Sequence, residues 1–121
     1  MFCAIGSSPL ISGNKFIENN GADHGGAIAL EDSDTKPVIV NNLFKGNYVA
    51  GTGGGAINAL DATPWIVNNT FVENRATNTN AYDGNGGAII VRRTANPFMV
   101  NNIFYKNKAR DWNDPFVGCW K

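Results

Sequence analysis

Pro37-Val38-Ile39-Val40-Asn41-Asn42-Leu43-Phe44-Lys45-Gly46-Asn47 is one of four copies of a single phrase in this chain. The others run from Pro9 to Asn19 (PLISGNKFIEN), Pro64 to Asn74 (PWIVNNTFVEN) and Pro97 to Asn107 (PFMVNNIFYKN). A second phrase lies between them, as Gly25-Gly26-Ala27-Ile28, Gly54-Gly55-Ala56-Ile57 and Gly86-Gly87-Ala88-Ile89. The prolines stand 28, 27 and 33 residues apart, and the phenylalanines Phe16, Phe44, Phe71 and Phe104 keep the same steps. So do Asn19, Asn47, Asn74 and Asn107. A repeat of this length marks a stack of like units in which each buries its apolar face only against its neighbours.

The unit is built of strands. Its apolar positions fall two or five apart, never at the spacing of a helix face. β-Branched and aromatic residues fill the runs, and Pro, Gly and Asn punctuate them. A strand residue advances about 3.3 Å, so some 27 residues make three short strands and their turns, enough for one closed coil. The expected fold is an all-β, right-handed parallel β-helix of about four coils with three short strands in each: Gly-Gly-Ala-Ile-x-Leu, Pro-x-Ile-Val and x-Phe-x-x. At 121 residues the chain makes one domain. Residues 1–8 form a partial first coil, and 9–36, 37–63, 64–96 and 97–121 form the coils that follow.

The I-V-N-N-x-F-x-x-N and G-G-A-I phrases resemble repeats of right-handed β-helix proteins of the pectate-lyase-like superfamily. Paired with F-x-x-N, G-G-A-[IVL] is similar in particular to the polymorphic outer membrane protein repeats of chlamydiae. The resemblance covers roughly residues 3–107. It implies the fold, and it favours an extracellular or cell-surface setting. It is weak for function, because lyases, hydrolases, adhesins and passive spacers share the architecture.

Asn14, Asn42, Asn69 and Asn102 fall at one bend of successive coils. There an Asn tolerates left-handed backbone geometry, and its amide bonds the coils above and below as a ladder. The inward set is Ile11, Ile39, Ile66 and Met99, the four phenylalanines, and Ile28, Ile57 and Ile89. Leu10, Val38, Trp65 and Phe98 then point outward, together with Val40, Val67 and Val100. Two explanations stand for that apolar stripe: inverted alternation or a covering loop, and a subunit or partner interface.

The two ends matter because a solenoid needs caps. Cys3-Ala4-Ile5-Gly6 reads as a partial Gly-Ala-Ile strand, leaving a bare first edge. Trp112 or Trp120 supplies a lid at the other end. Homo-oligomers through a coil end or through the outer stripe are therefore expected. Cys3 and Cys119 belong to the first and last rungs, roughly 19 Å apart, too far to pair within one molecule.

Charge and composition narrow the partners. The formal net charge is zero, so no pull toward nucleic acid is implied. No apolar run is long enough to span a membrane, and the first residues lack the pattern of a secretory signal. His24 is the only histidine, with no close thiol beside it, so no transition-metal site and no cofactor is expected. On this fold polysaccharide enzymes resemble one another in carrying charged groups on the outer face of the Gly-Gly-Ala-Ile strand. Here that face reads Ala27, Ala29, Glu31; Ala56, Asn58, Leu60; Ala88, Ile90, Arg92. Glu31, Asp61 and Arg92 are the candidate saccharide or calcium site, weighed against a solvated turn. Tyr82 and Asp83, in the longest loop, are candidate saccharide contacts. Two functions stay open: a non-catalytic module for self-assembly, adhesion or glycan binding, and a carbohydrate-active enzyme or part of one.

Overall fold

The computed structural model describes residues 1–77 and 86–109, and the backbone of residues 117–120. The chain winds as a parallel β-helix. It opens with β1 (Phe2–Cys3), and the first full turn supplies β2 (Leu10–Ser12), β3 (Lys15–Ile17) and β4 (Asn20–Gly21). The second coil is β5 (Ile28–Glu31), β6 (Val38–Val40), β7 (Leu43–Lys45) and β8 (Tyr48–Val49). The third is β9 (Ile57–Leu60), β10 (Trp65–Val67), β11 (Thr70–Val72) and β12 (Arg75–Ala76). The fourth is β13 (Ile89–Arg92), β14 (Phe98–Val100), β15 (Ile103–Tyr105) and β16 (Lys108–Ala109), and β17 (Val117–Trp120) begins another rung.

Like strands pair with like. Sheet A orders β1-β5-β9-β13-β17, sheet B β14-β10-β6-β2, sheet C β15-β11-β7-β3 and sheet D β16-β12-β8-β4. Every pairing is parallel and in the register the repeat dictates: Ile11, Ile39, Ile66 and Met99 align, as do Phe16, Phe44, Phe71 and Phe104. Sheets A, B and C are the three strands expected of each coil. Sheet D adds a fourth, two residues long, too short to show the alternation by which strands are recognised.

Stacking like on like fills the core. The four phenylalanine rings stand in a column with centroids 4.8, 4.8 and 4.9 Å apart and planes within 7°. That interval is the rung spacing of the sheets themselves, about 4.8 Å, so ring stacking and strand pairing reinforce one another. Beside the column lie Ile28, Ile57 and Ile89 with Leu30 and Ala59, all fully buried. Met99 points inward with its row but is 38% exposed, because β14 is the edge of sheet B and no described residue packs beyond it.

The Asn ladder is present, with a change in how its turn is made. Asn14 Nδ2 donates to Asn42 Oδ1 (3.2 Å), Asn42 to Asn69 (3.0 Å) and Asn69 to Asn102 (3.2 Å). Each of those oxygens also accepts the backbone N–H of the asparagine one rung back. The left-handed residue is the one before each rung's asparagine: Gly13, Asn41, Asn68 and Asn101, with φ between 54° and 68°. The ladder residue itself turns its amide inward, so its task is hydrogen bonding, and its neighbour takes the bend.

Three further corrections concern strand ends. Cys3 pairs with Leu30, which puts Ile5 beyond the strand in a left-handed turn (φ 55°) opposite Asp32 and not in register with Ile28. Ile5 is accordingly 93% exposed. Ala27, Ala56 and Ala88, expected on the outer face, belong to the core cluster, since the bend before sheet A turns them in. The row Ala29, Asn58 and Ile90 does face outward but is buried too, so sheet A is covered on both faces. Cys3 is a free, buried thiol, and burial pushes its pKa up against the smaller opposing effect of the Met1 ammonium.

Candidate functional site

Sheet A carries the expected charged residues in its second outward row, where Glu31, Leu60 and Arg92 are register partners. Two loops reach this row. His24 Nε2 stands 3.9 Å from a Glu31 carboxylate oxygen, and Arg92 Nη1 donates to Thr52 Oγ1 at 3.2 Å. Asp61 is engaged elsewhere. It occupies the left-handed turn after β9, where its Oδ1 accepts from the Thr94 hydroxyl (2.7 Å) and backbone N–H (3.1 Å). Its other oxygen lies 3.6 Å from Arg93 Nη1. Each acidic residue of the proposed trio thus has its own partner, and the cation on Asp61 is Arg93, one residue past Arg92. Among the described residues no group of three His, Cys, Asp or Glu side chains is arranged to hold a metal ion. Tyr82 and Asp83 lie outside the described residues, as does Trp112.

The Thr94 hydrogen bonds, ahead of the Arg93 charge, hold the Asp61 carboxyl below the usual carboxylate range. The folded carboxyl binds its proton less readily than the unfolded one. Its stabilising contribution is therefore present above the unfolded carboxylate pKa and lost as pH falls through the lower folded value. Thr94→Val removes the hydroxyl donor and should raise the Asp61 pKa toward the usual range. A carboxyl titration followed by NMR in both proteins checks this; an unmoved Asp61 would show that Thr94 is not the cause.

Asn58, an outward position of this face in the sequence, was given no role there. It is fully buried between Ala29 and Ile90 in the sheet A register, and among the described residues neither its Oδ1 nor its Nδ2 has a hydrogen-bond partner. Its polarity in an otherwise small, apolar row was the available signal.

Sheets B and C present a different surface. The row Leu10, Val38, Trp65 and Phe98 faces outward, with Leu10 70%, Trp65 55% and Phe98 52% exposed. The Trp65 and Phe98 rings touch, centroids 4.9 Å apart and planes at 43°. Val40, Val67 and Val100 form the second outward row, with Ser12 at its start. Around the Asn corner, exposed Ile17, Ile103 and Tyr105 extend the apolar area onto sheet C. The alternation of the Pro-x-Ile-Val strand is therefore not inverted.

No known protein family, curated protein or solved structure matches this chain. No helix of the described residues is long and apolar enough to cross a membrane.

Proposed function

We propose that this chain is a non-catalytic β-helix module that associates with further copies of itself through the outer faces of sheets B and C. The observation that carries the reading is the outward row Leu10-Val38-Trp65-Phe98, large apolar side chains on the water-facing side of a sheet whose inner residues Ile11, Ile39 and Ile66 are already buried in the core. Exposed apolar rows of this continuity mark interaction surfaces, and aromatic anchors such as Trp65 and Phe98 dominate the energetics of interfaces. We place the chain in the pectate-lyase-like superfamily on its Gly-Gly-Ala-Ile and Phe-x-x-Asn phrases. The enzyme alternative draws little support from sheet A. A glycosidase carries two carboxyls facing each other across a groove, whereas Glu31 meets His24 and Asp61 meets Thr94 and Arg93.

Solution mass tests the proposal. The native chain is expected to sediment above its monomer mass at micromolar concentration, and Trp65→Asp to sediment as monomer. The substituted side chain faces solvent, so circular dichroism should stay native. A native chain that remains monomeric throughout, or a folded Trp65→Asp of unchanged mass, would sink it.

A further inference from the structure

The outward rows of sheet B are graded along the stack. Leu10 and Val38, in the first two coils, are aliphatic, whereas Trp65 and Phe98, in the third and fourth, are rings in contact with each other. The second row runs Ser12, Val40, Val67 and Val100, so neither row carries a charge. We propose that two copies of this chain close into a two-fold dimer, sheet B on sheet B, with their stacks antiparallel, so that the first coil of each copy faces the fourth coil of the other. This geometry rests on the self-association proposed above and adds its orientation, its register and its end point.

Shape decides between the two ways in which a two-fold axis can bring one face of a sheet onto itself. With the axis along the stack, each coil meets the same coil of the other copy. The rings of both copies then crowd the third and fourth rungs and hold the faces apart over the first and second, where Leu10, Val38, Ser12 and Val40 are too short to reach across. Such a gap forfeits the dispersion contacts of the side chains that line it. With the axis along the strands, the first coil meets the fourth and the second meets the third. Leu10 of one copy then lies against Phe98 of the other, and Val38 against Trp65, twice each. Every rung of this row joins one ring to one aliphatic side chain, so the two faces stay level and close-packed from end to end. In the second row Val40 meets Val67, and Ser12 meets Val100.

Charge on sheet C favours the same arrangement. Its outward lysines, Lys15 and Lys45, lie in the first two coils, and its exposed Ile103 and Tyr105 lie in the fourth. Both lysines are exposed, and among the described residues neither makes an ion pair. Like coil on like coil would gather four unpaired lysines at one end of the dimer. The antiparallel pair leaves two at each end, next to Ile103 and Tyr105 of the other copy, where lysine stems cover apolar surface and an ammonium group is drawn to a ring face. A two-fold interface uses the same patch on both copies, so this pairing consumes the row and the assembly closes at two.

Leu10 and Phe98 stand three rungs apart within one chain, about 14 Å along the stack, so any contact between them crosses from copy to copy. Sedimentation of the full chain, of Leu10→Lys, of Phe98→Glu and of an equimolar mixture of the two variants tests the geometry. The native chain should reach the mass of a dimer and stop there. Each variant alone should dimerise roughly tenfold more weakly or worse, and the mixture should recover most of that loss, because the opposite charges meet only when a first coil faces a fourth. A half-labelled sample of the native chain should also give an isotope-filtered NOE between the Leu10 methyls and the Phe98 ring. A mixture no tighter than its components, a native dimer without that NOE, or a native mass that climbs past two copies would overturn the antiparallel dimer and leave self-association standing. A native chain that stays monomeric would remove both. If either variant does not fold, the NOE on the native chain decides.

Discussion

Gly55→Ala is expected to destabilise the fold by about 4 kcal/mol or more, enough to leave a domain of ordinary stability largely unfolded. The added Cβ would overlap Gly87 O and stand 2.5 Å from Arg75 N and 2.9 Å from Arg75 C. All three atoms are backbone, so no side chain can swing away to make room. Moving them means parting the rungs, because Gly55 N is bonded to Gly86 O at 2.9 Å and Arg75 N to Asn47 O at 2.8 Å. Gly13→Ala is the matching control. A Cβ there meets nothing within 4 Å, and only the left-handed φ of 68° opposes it, a cost of roughly 1–2 kcal/mol. Guanidinium unfolding of both variants separates steric exclusion from backbone strain. Equal losses would mean that the Gly-Gly pair serves turn conformation alone.

That comparison also shows what could be read in the sequence. The Gly-Gly pairs are visible in the sequence as a repeat that punctuates the strands. The structural reason is the near approach of the next coil's carbonyl, a relation between residues some thirty positions apart that local pattern does not record. The alternation of Pro-x-Ile-Val was legible because its strand is solvated on one face, which makes inside and outside distinguishable at every second residue. Sheet A lacked that contrast. Ala29, Asn58 and Ile90 are buried beneath loops, so small residues there mean close cover and not an open groove. The trio Glu31, Asp61 and Arg92 was assembled from rung counting, which places Cα positions well and side-chain partners badly. A left-handed φ of 61° turned Asp61 to Thr94 and Arg93.

The second asparagine ladder was in plain view as a repeat marker without a role, and its two middle members are fully buried polar side chains. Asn19 Nδ2 donates to Asn47, Asn47 to Asn74 and Asn74 to Asn107, each at 2.8 Å, and Asn47 and Asn74 are fully buried. Asn74→Leu is expected to cost about 3 kcal/mol or more. The Asn74 side chain accepts the Asn47 backbone N–H (3.0 Å) and Asn47 Nδ2 (2.8 Å), and it donates to Phe44 O (3.0 Å). Leucine fills the space with methyl groups and leaves the Asn47 N–H and the Phe44 carbonyl without this partner, while Asn47 Nδ2 keeps only its bond to Phe16 O (2.9 Å), at about 1–3 kcal/mol for each buried group left unpaired. Asn20→Ala, one residue past the same ladder but exposed, should change stability by no more than about 0.5 kcal/mol. Asn74→Asp sharpens the argument, because it keeps the acceptor for Asn47 and loses the donors, placing a carboxylate against the oxygens of Phe44 and Asn107. Burial beside those oxygens raises the folded-state pKa of the new carboxyl. Stability should then be greatest below the unfolded carboxylate pKa, where the protonated group can still donate once, and should fall as pH rises through the raised folded value. Urea midpoints across pH for the native chain and both variants read this directly. A flat profile for Asn74→Asp, or a loss below about 1 kcal/mol for Asn74→Leu, would mean that the ladder's hydrogen bonds are replaced by water and that the phenylalanine column alone holds the coils in register.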